Sequence, residues 1–90
     1  MHLVVWAPSA RADLVEIRAY IRQFNPTAAT RMAQLLVDAA DSLQNFPDRG
    51  RPIKGGRREL VFVWPYVIRY RLDGNRVIIL RIRHGMRRPD

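Results

Sequence analysis

The chain has 90 residues, of which 48% are hydrophobic and none is cysteine, and its net charge is +8. This length corresponds to one domain, residues 1–90, with a modest core, and the lack of cysteine excludes disulfides and thiolate metal sites. His2 and His84 are far apart in the sequence, so we expect neither a metal nor another cofactor. The apolar run from Leu3 to Pro8 is too short for a signal peptide or a membrane span, so we expect a cytoplasmic protein.

Positive charge is concentrated in the second half of the chain. Residues 1–48 contain four arginines and five acidic residues, a net charge of −1. Residues 49–90 contain eleven arginines, one lysine and three acidic residues, a net charge of +9. This asymmetry favours an anionic partner for the second half. The alternative is a compositional preference for arginine without a functional role.

A short strand and an amphipathic helix are predicted at the start of the chain. The apolar stretch from His2 to Trp6 is typical of a strand, and Pro8 begins the helix with Ser9 as its cap. Asp13 and Glu16 lie early in this helix, where acidic side chains suit the helix dipole. Apolar residues recur at intervals of three and four and form the predicted buried stripe: Ala10, Leu14, Ile17, Ile21 and Phe24.

A second helix follows after a very short connection, which predicts an antiparallel helical hairpin. Asn25 is its predicted cap and Pro26 its first helical residue. Its predicted buried stripe has the same periodicity: Ala29, Met32, Leu36, Ala39, Leu43 and Phe46. Three further apolar residues, Leu35, Val37 and Ala40, lie outside this stripe and are candidates for a groove that binds a partner.

Three strands are predicted in the rest of the chain, after a loop over residues 47–52 that residues 54–56 extend. In the first strand Leu60, Phe62 and Trp64 alternate with residues of the opposite face, and Pro65 lies in the following turn. The order of elements is therefore strand, helix, helix, strand, strand, strand. This order predicts an α+β fold in which a helical hairpin packs on one face of a mainly antiparallel sheet.

The last two strands form a predicted hairpin with one core face and one arginine-bearing face. Tyr66, Ile68, Tyr70 and Leu72 alternate toward the core on one strand, and Ile78, Leu80 and Ile82 on the other. A three-residue loop over residues 73–75, with Asn75 in the left-handed conformation, places Tyr70 opposite Ile78 and keeps the faces matched. A two-residue loop would instead set Arg71 against Ile78. The predicted outer face carries Arg69, Arg71, Arg81 and Arg83, with no two arginines directly opposite each other.

Several segments, taken in this order and spacing, resemble toxins of the RelE/ParE superfamily, the toxic partners in type II toxin–antitoxin pairs. The resemblance covers nearly the whole chain. The residues that support it are Trp6, Pro8, Asp13 and Leu14 in the opening segment, residues 43–52 at the exit of the second helix, and His84, Gly85 and Arg87 at the end. It implies a cognate antitoxin whose acidic or amphipathic C-terminal segment wraps the helical hairpin and the sheet in a hetero-oligomer.

The superfamily contains two activities, and the resemblance implies different site residues for each. The ending with His84 and Gly85 followed by arginines is closer to ParE-like toxins, which inhibit DNA gyrase by direct binding and without chemistry of their own. The residues expected to bind the target are then Arg81, Arg83, His84, Arg87 and Arg88.

The alternative is a RelE-like endoribonuclease that cleaves mRNA on the ribosome. In that case Arg69 and Arg81 hold phosphate and His84 moves a proton. The residues after Gly85 lack the tyrosine that RelE-like nucleases often carry, and the last tyrosine, Tyr70, is predicted to face the core. His84 has a structural interpretation as well, since it can cap the core at the end of its strand. A third possibility is a member of the superfamily that has lost toxicity and only binds its partner.

Overall fold

The computed structural model describes residues 1–85, except for the side chain of Phe62. The predicted target-binding residues Arg87 and Arg88 lie outside the described residues. The elements are β1 (Leu3–Trp6), α1 (Pro8–Arg22), α2 (Pro26–Asp41), a short 3₁₀ turn (Ser42–Gln44), β2 (Arg51–Ile53), β3 (Arg57–Val63), β4 (Tyr66–Asp73) and β5 (Arg76–His84). The predicted α+β fold is confirmed. The sequence interpretation missed β2, which lies in the predicted loop.

The five strands form one sheet in the order β1-β5-β4-β3-β2. β1 runs parallel to β5, and the other neighbouring strands are antiparallel. Both helices pack on one face of this sheet, and the core lies between the two layers. The largest fully buried side chains are Tyr70, Leu36, Leu43, Ile68, Ile79 and Val77. No helix in the described part of the chain has the length and hydrophobicity needed to cross a membrane.

The start of α2 is as predicted, whereas the start of α1 is not. The side chain of Asn25 caps α2 by accepting a hydrogen bond from the Ala28 N–H at 3.0 Å. The N-cap of α1 is Ala7, and the hydroxyl of Ser9 instead donates to the Leu80 carbonyl of β5 at 2.8 Å. The first turn of α1 contains no acidic residue, so the predicted dipole role of Asp13 and Glu16 is wrong.

The predicted helical stripes are correct in the middle of each helix and wrong at their ends. Phe24 lies beyond the last residue of α1 and is 72% exposed, and Phe46 lies beyond the 3₁₀ turn and is 62% exposed. The 3.6-residue periodicity no longer fixes a side chain's direction once the helix has ended. Ala40 is fully buried, so it is not part of an open groove as predicted.

The register of the β4–β5 hairpin differs from the prediction. Asp73 is opposite Arg76, so the loop has the two residues Gly74 and Asn75. Gly74 takes the left-handed conformation with φ of 61°, and no described residue other than glycine has a positive φ. A glycine at the first loop position is typical of a type II′ turn, whose twist suits a two-residue hairpin.

A β-bulge in β5 restores the match between the core faces of β4 and β5. Tyr70 is opposite Ile79 and Arg69 is opposite Arg81, which leaves Leu80 as the extra residue. Consequently Val77 and Ile79 are buried before the bulge, and Ile82 after it, in place of the predicted Ile78 and Leu80. The bulge also places two arginines directly opposite each other, contrary to the prediction.

β3 is irregular near its end. The register shifts between Leu60 and Val63, and these two residues are buried. Trp64 is 63% exposed beyond the end of β3, so the predicted alternation does not extend to it. Trp64 and Pro65 form the turn into β4.

Candidate functional site

The hydroxyl of Tyr70 fixes the segment between the helices and the sheet. It accepts a hydrogen bond from the Gly50 N–H at 2.8 Å and donates to the Pro47 carbonyl at 2.7 Å. Burial is the main effect on this phenol and raises its pKa above the ordinary value, although the hydrogen bond from Gly50 acts in the opposite direction. Tyr70 therefore acts as a structural anchor, in agreement with its predicted core position.

Gly50 and Arg58 complete this anchor. A Cβ atom on Gly50 would lie 2.7 Å from Cε1 of Tyr70 and 2.9 Å from the Glu59 carbonyl oxygen, so only glycine fits without movement. Arg58 donates to the Gly50 carbonyl at 2.6 Å and to the Asp48 carbonyl at 3.2 Å. The polar backbone groups of this turn are thus paired by side chains from β3 and β4.

Asp13 joins α1 to the bulged part of β5. Its carboxylate accepts hydrogen bonds from Arg81 Nε at 2.8 Å, from Arg81 Nη2 at 3.2 Å, and from the Ile82 N–H at 2.9 Å. β1 pairs with β5 only as far as Ile79, so the edge of β5 beyond that point faces α1. Asp13 and Ser9 therefore satisfy backbone groups that a longer β1 would otherwise pair.

Arg69 is held on the outer face of the sheet, the face that does not carry the helices. Its Nε and Nη2 atoms donate to one oxygen of Glu59 at 3.3 and 3.0 Å, and Arg51 reaches the other oxygen at 3.1 Å. The side chains of Arg69 and Glu59 are only 11% and 13% exposed. The predicted phosphate-binding arginine of the nuclease hypothesis is thus engaged in a buried ion pair.

The C-terminal part of α1 and the end of β5 enclose a groove of about 460 Å³. We call it the α1–β5 groove, and its lining residues are Glu16, Ile17, Tyr20, Tyr66, Arg81, Ile82, Arg83 and His84. The ring of His84 packs edge-on against that of Tyr66, with centroids 5.5 Å apart and an interplanar angle of 79°. Cationic and aromatic side chains on one concave surface suit a partner that presents acidic and planar groups.

The α1–β5 groove brings together Arg81, Arg83 and His84 of the predicted target-binding set. Sequence interpretation missed the contributions of Glu16 and Tyr20. They face the groove because α1 crosses the open edge of β5, a tertiary arrangement that the helical periodicity does not encode.

A second groove, of about 400 Å³, lies between the two helices. Its lining is mostly apolar and includes two arginines: Leu14, Val15, Arg18, Ala19, Arg22, Thr30, Ala33, Gln34 and Val37. Val37 was one of three residues proposed for a partner groove. Leu35, another of the three, is exposed.

Comparison with known proteins identifies the family. The family model for the ParE toxin of the type II toxin–antitoxin system parDE matches residues 4–89. The chain belongs to the RelE/ParE toxins. Toxin RelE2 of Caulobacter vibrioides is 55% identical over 97% of this chain and 99% of the relative. Toxin RelE3 of the same organism is 35% identical over 98% of this chain and 99% of the relative.

Solved structures of RelE/ParE proteins have the same fold. The chain is similar to one from the chromosomal ParDE toxin–antitoxin system of P. aeruginosa, with a TM-score of 0.85, 30% identity and coverage of 93% and 96% of the two chains. It is also similar to a chain of the toxin–antitoxin complex RelBE2 of Mycobacterium tuberculosis, with a TM-score of 0.69 and 27% identity. That match covers 92% of this chain and 96% of the other. These neighbours include toxin–antitoxin complexes, which supports a cognate antitoxin as a partner of this toxin.

Proposed function

We propose that this toxin inhibits DNA gyrase by direct binding and is neutralised by its cognate antitoxin. The main supporting observation is that three proton-carrying side chains near the basic strands, those of Glu59, Asp13 and Tyr70, are engaged in structural contacts. Glu59 pairs with two arginines, the Asp13 carboxylate accepts three hydrogen bonds, and the Tyr70 hydroxyl makes two. General acid–base catalysis needs a side chain that can exchange a proton with the substrate. Binding without chemistry places no such demand on these groups.

The α1–β5 groove is the proposed contact surface for gyrase. Arg81, Arg83 and His84 line it. The ring of His84 packs edge-on against that of Tyr66, and the Asp13 carboxylate holds the guanidinium of Arg81. Arginine pairs readily with carboxylates in a two-pronged geometry, so an acidic segment of the target suits this surface. Arg87 and Arg88 are retained in the proposal from their sequence positions after His84.

The second candidate function is ribosome-dependent cleavage of mRNA. It is supported by the names of the curated relatives, since Toxin RelE2 is 55% identical to this chain. His84 is then the proton carrier, and Arg81 the phosphate ligand. Arg69 is the weakest member of this set, because a phosphate would have to displace the Glu59 carboxylate that it already binds.

Induced expression without the antitoxin separates the two functions. Pulse labelling follows DNA synthesis and protein synthesis in parallel, and early loss of DNA synthesis with intact translation is expected for a gyrase inhibitor. Supercoiling assays with purified gyrase then test direct inhibition. Early loss of translation, together with new RNA ends in primer extension, would replace this proposal with the nuclease.

Charge-reversal variants test whether the proposed target-binding residues contact gyrase. Arg83→Glu combined with Arg87→Glu is expected to abolish gyrase inhibition, because it reverses the charges of two residues that are proposed to bind gyrase. A matched control is Arg11→Glu with Arg31→Glu, which makes the same charge change at exposed positions of the two helices. If the groove variant folds and inhibits gyrase as well as the control does, the groove is not the contact surface.

The antitoxin is proposed to wrap the helical hairpin and the sheet with an acidic or amphipathic C-terminal segment. The apolar lining of the groove between the helices and its two arginines, Arg18 and Arg22, suit such a segment. Coexpression of the antitoxin is expected to restore growth and supercoiling. An antitoxin that restores growth without binding the toxin in pull-down experiments would contradict direct neutralisation.

A further inference from the structure

Two arginines face each other directly at one end of the sheet. Arg57 of β3 is the register partner of Arg71 of β4. Their neighbours Arg58 and Tyr70 point to the helical side, so alternation places Arg57 and Arg71 on the outer face. Side chains directly opposite on antiparallel strands are close, and like charges in this position oppose folding. This pair therefore needs an explanation beyond stability.

The nearby carboxylates bind other arginines. Glu59 is bound by Arg51 and Arg69, while Asp73 is bound by Arg76 at 3.3 Å. Arg57 is oriented by a hydrogen bond from its Nε to the Lys54 carbonyl at 3.1 Å. Among the described residues, the Nη groups of Arg57 and the whole guanidinium of Arg71 make no hydrogen bond or ion pair.

Lys54 lies in the turn between β2 and β3, three residues before Arg57, and is exposed. We call Lys54, Arg57 and Arg71 the turn-end cluster, because it lies where the β2–β3 and β4–β5 turns meet at one end of the sheet. Arg71 is five residues along β4 from Tyr66, which is the register partner of His84. Five residues of a strand span roughly 17 Å, so the cluster is a site separate from the α1–β5 groove.

We propose that the turn-end cluster binds the phosphate backbone of duplex DNA. Guanidinium groups match the geometry of phosphate, and phosphate contacts give binding that is independent of base sequence. Single-stranded nucleic acids are usually held by stacking of bases on aromatic side chains. On the outer face, none of the strand residues with described side chains is aromatic, and Arg57 and Arg71 are flanked in register by Ile53 and Ile78. This surface favours a backbone that needs no stacking.

The proposed DNA contact rests on the proposed function, because gyrase acts on DNA. The toxin would then contact the enzyme and the DNA through different ends of its sheet. The binding itself is measured with DNA alone. Failure of DNA binding therefore leaves gyrase inhibition untouched, and failure of gyrase inhibition leaves the DNA measurement valid.

The test is fluorescence anisotropy of a short labelled DNA duplex titrated with the full-length toxin at several salt concentrations. The variant is Arg57→Gln with Arg71→Gln, and the matched control is Arg11→Gln with Arg31→Gln, which lowers the net charge equally. If each arginine contacts one phosphate, the variant's slope of log affinity against log salt is smaller by about 1.8. The affinity advantage of the wild type then falls about twelve-fold between 50 and 200 mM salt.

The expected result is weakened binding and a reduced slope for the cluster variant, with the control close to the wild type. Equal losses in the two variants would overturn the proposal, because binding would then follow net charge alone. Tighter binding of single-stranded DNA, or of an RNA duplex of the same sequence, would overturn the choice of duplex DNA as the ligand. Urea unfolding of the variant excludes a folding defect, since removing two opposed charges is expected to leave the midpoint unchanged or higher.

Discussion

Removal of the Tyr70 hydroxyl is expected to destabilise the toxin, because two backbone groups lose their hydrogen-bond partner. Tyr70→Phe keeps the buried ring but eliminates the hydrogen bonds to Gly50 and Pro47. Gly50 is buried, so its N–H is left without a partner in a site shielded from water. An unsatisfied buried donor of this kind costs about 1–3 kcal/mol. The lost contact with the Pro47 carbonyl places the effect in the upper half of that range.

Urea unfolding of the purified toxin measures this loss. With an m value of about 1.5 kcal/mol/M, a loss of about 2 kcal/mol lowers the unfolding midpoint by about 1.3 M. Tyr20→Phe is the matched control, because Tyr20 is 60% exposed and its packing against Phe24 involves the ring alone. Equal midpoints for Tyr70→Phe and Tyr20→Phe would refute the reasoning that the hydroxyl anchors the turn.

Three further changes test neighbouring contacts. Burial raises the pKa of the Tyr70 hydroxyl above 10.0, so the contribution of this hydroxyl to stability is complete below pH 10 and is lost as the pH rises through the folded-state pKa. The difference in unfolding free energy between the wild type and Tyr70→Phe should therefore shrink when urea unfolding is repeated at alkaline pH. A difference that stays constant with pH would contradict this. Gly50→Ala is expected to lower the unfolding free energy by about 1–3 kcal/mol through overpacking against the Tyr70 ring, whereas Gly74→Ala, a control with open space around it, tests backbone strain alone. Asp13→Ala is expected to lower the unfolding free energy by about 1–3 kcal/mol, because the Ile82 N–H and Arg81 lose the carboxylate that accepts their hydrogen bonds. The control is Glu16→Ala at an exposed position, and equal urea midpoints for the two variants would show that the Asp13 contact adds no stability.

Local signals predicted the parts of the fold that depend on neighbouring residues. Asn25 followed by Pro26 marked the boundary between the helices because a capping side chain and a fixed φ act within one turn. Alternation placed Tyr70 and Ile68 in the core because β4 is regular along most of its length. The α+β order followed from these elements. β2 was missed because a three-residue edge strand containing Pro52 has too few residues to show alternation.

The candidate site could be predicted only in part, since its geometry depends on contacts between distant segments. Arg81, Arg83 and His84 were identified from the resemblance and lie together in the α1–β5 groove. The partner of Arg81 is Asp13, which is 68 residues away, so no local pattern could reveal the ion pair. The ion pair between Arg69 and Glu59 likewise could not be predicted from a local pattern, because it depends on the register between β3 and β4.

The bulge at Leu80 links the error in the predicted register to the way the site is built. The apolar run from Val77 to Leu80 fits either face of a sheet, so alternation alone cannot choose between registers. The two-residue turn at Gly74 selects one register, and the bulge then returns Ile82 to the core. The same bulge lies where β1 ends, so the freed edge of β5 is available to Ser9 and Asp13 of α1. An unbroken ladder from this turn would place Arg81 opposite the buried Ile68, on the core face. The bulge instead places Arg81 opposite Arg69, and the Arg81 guanidinium reaches Asp13 of α1 from there.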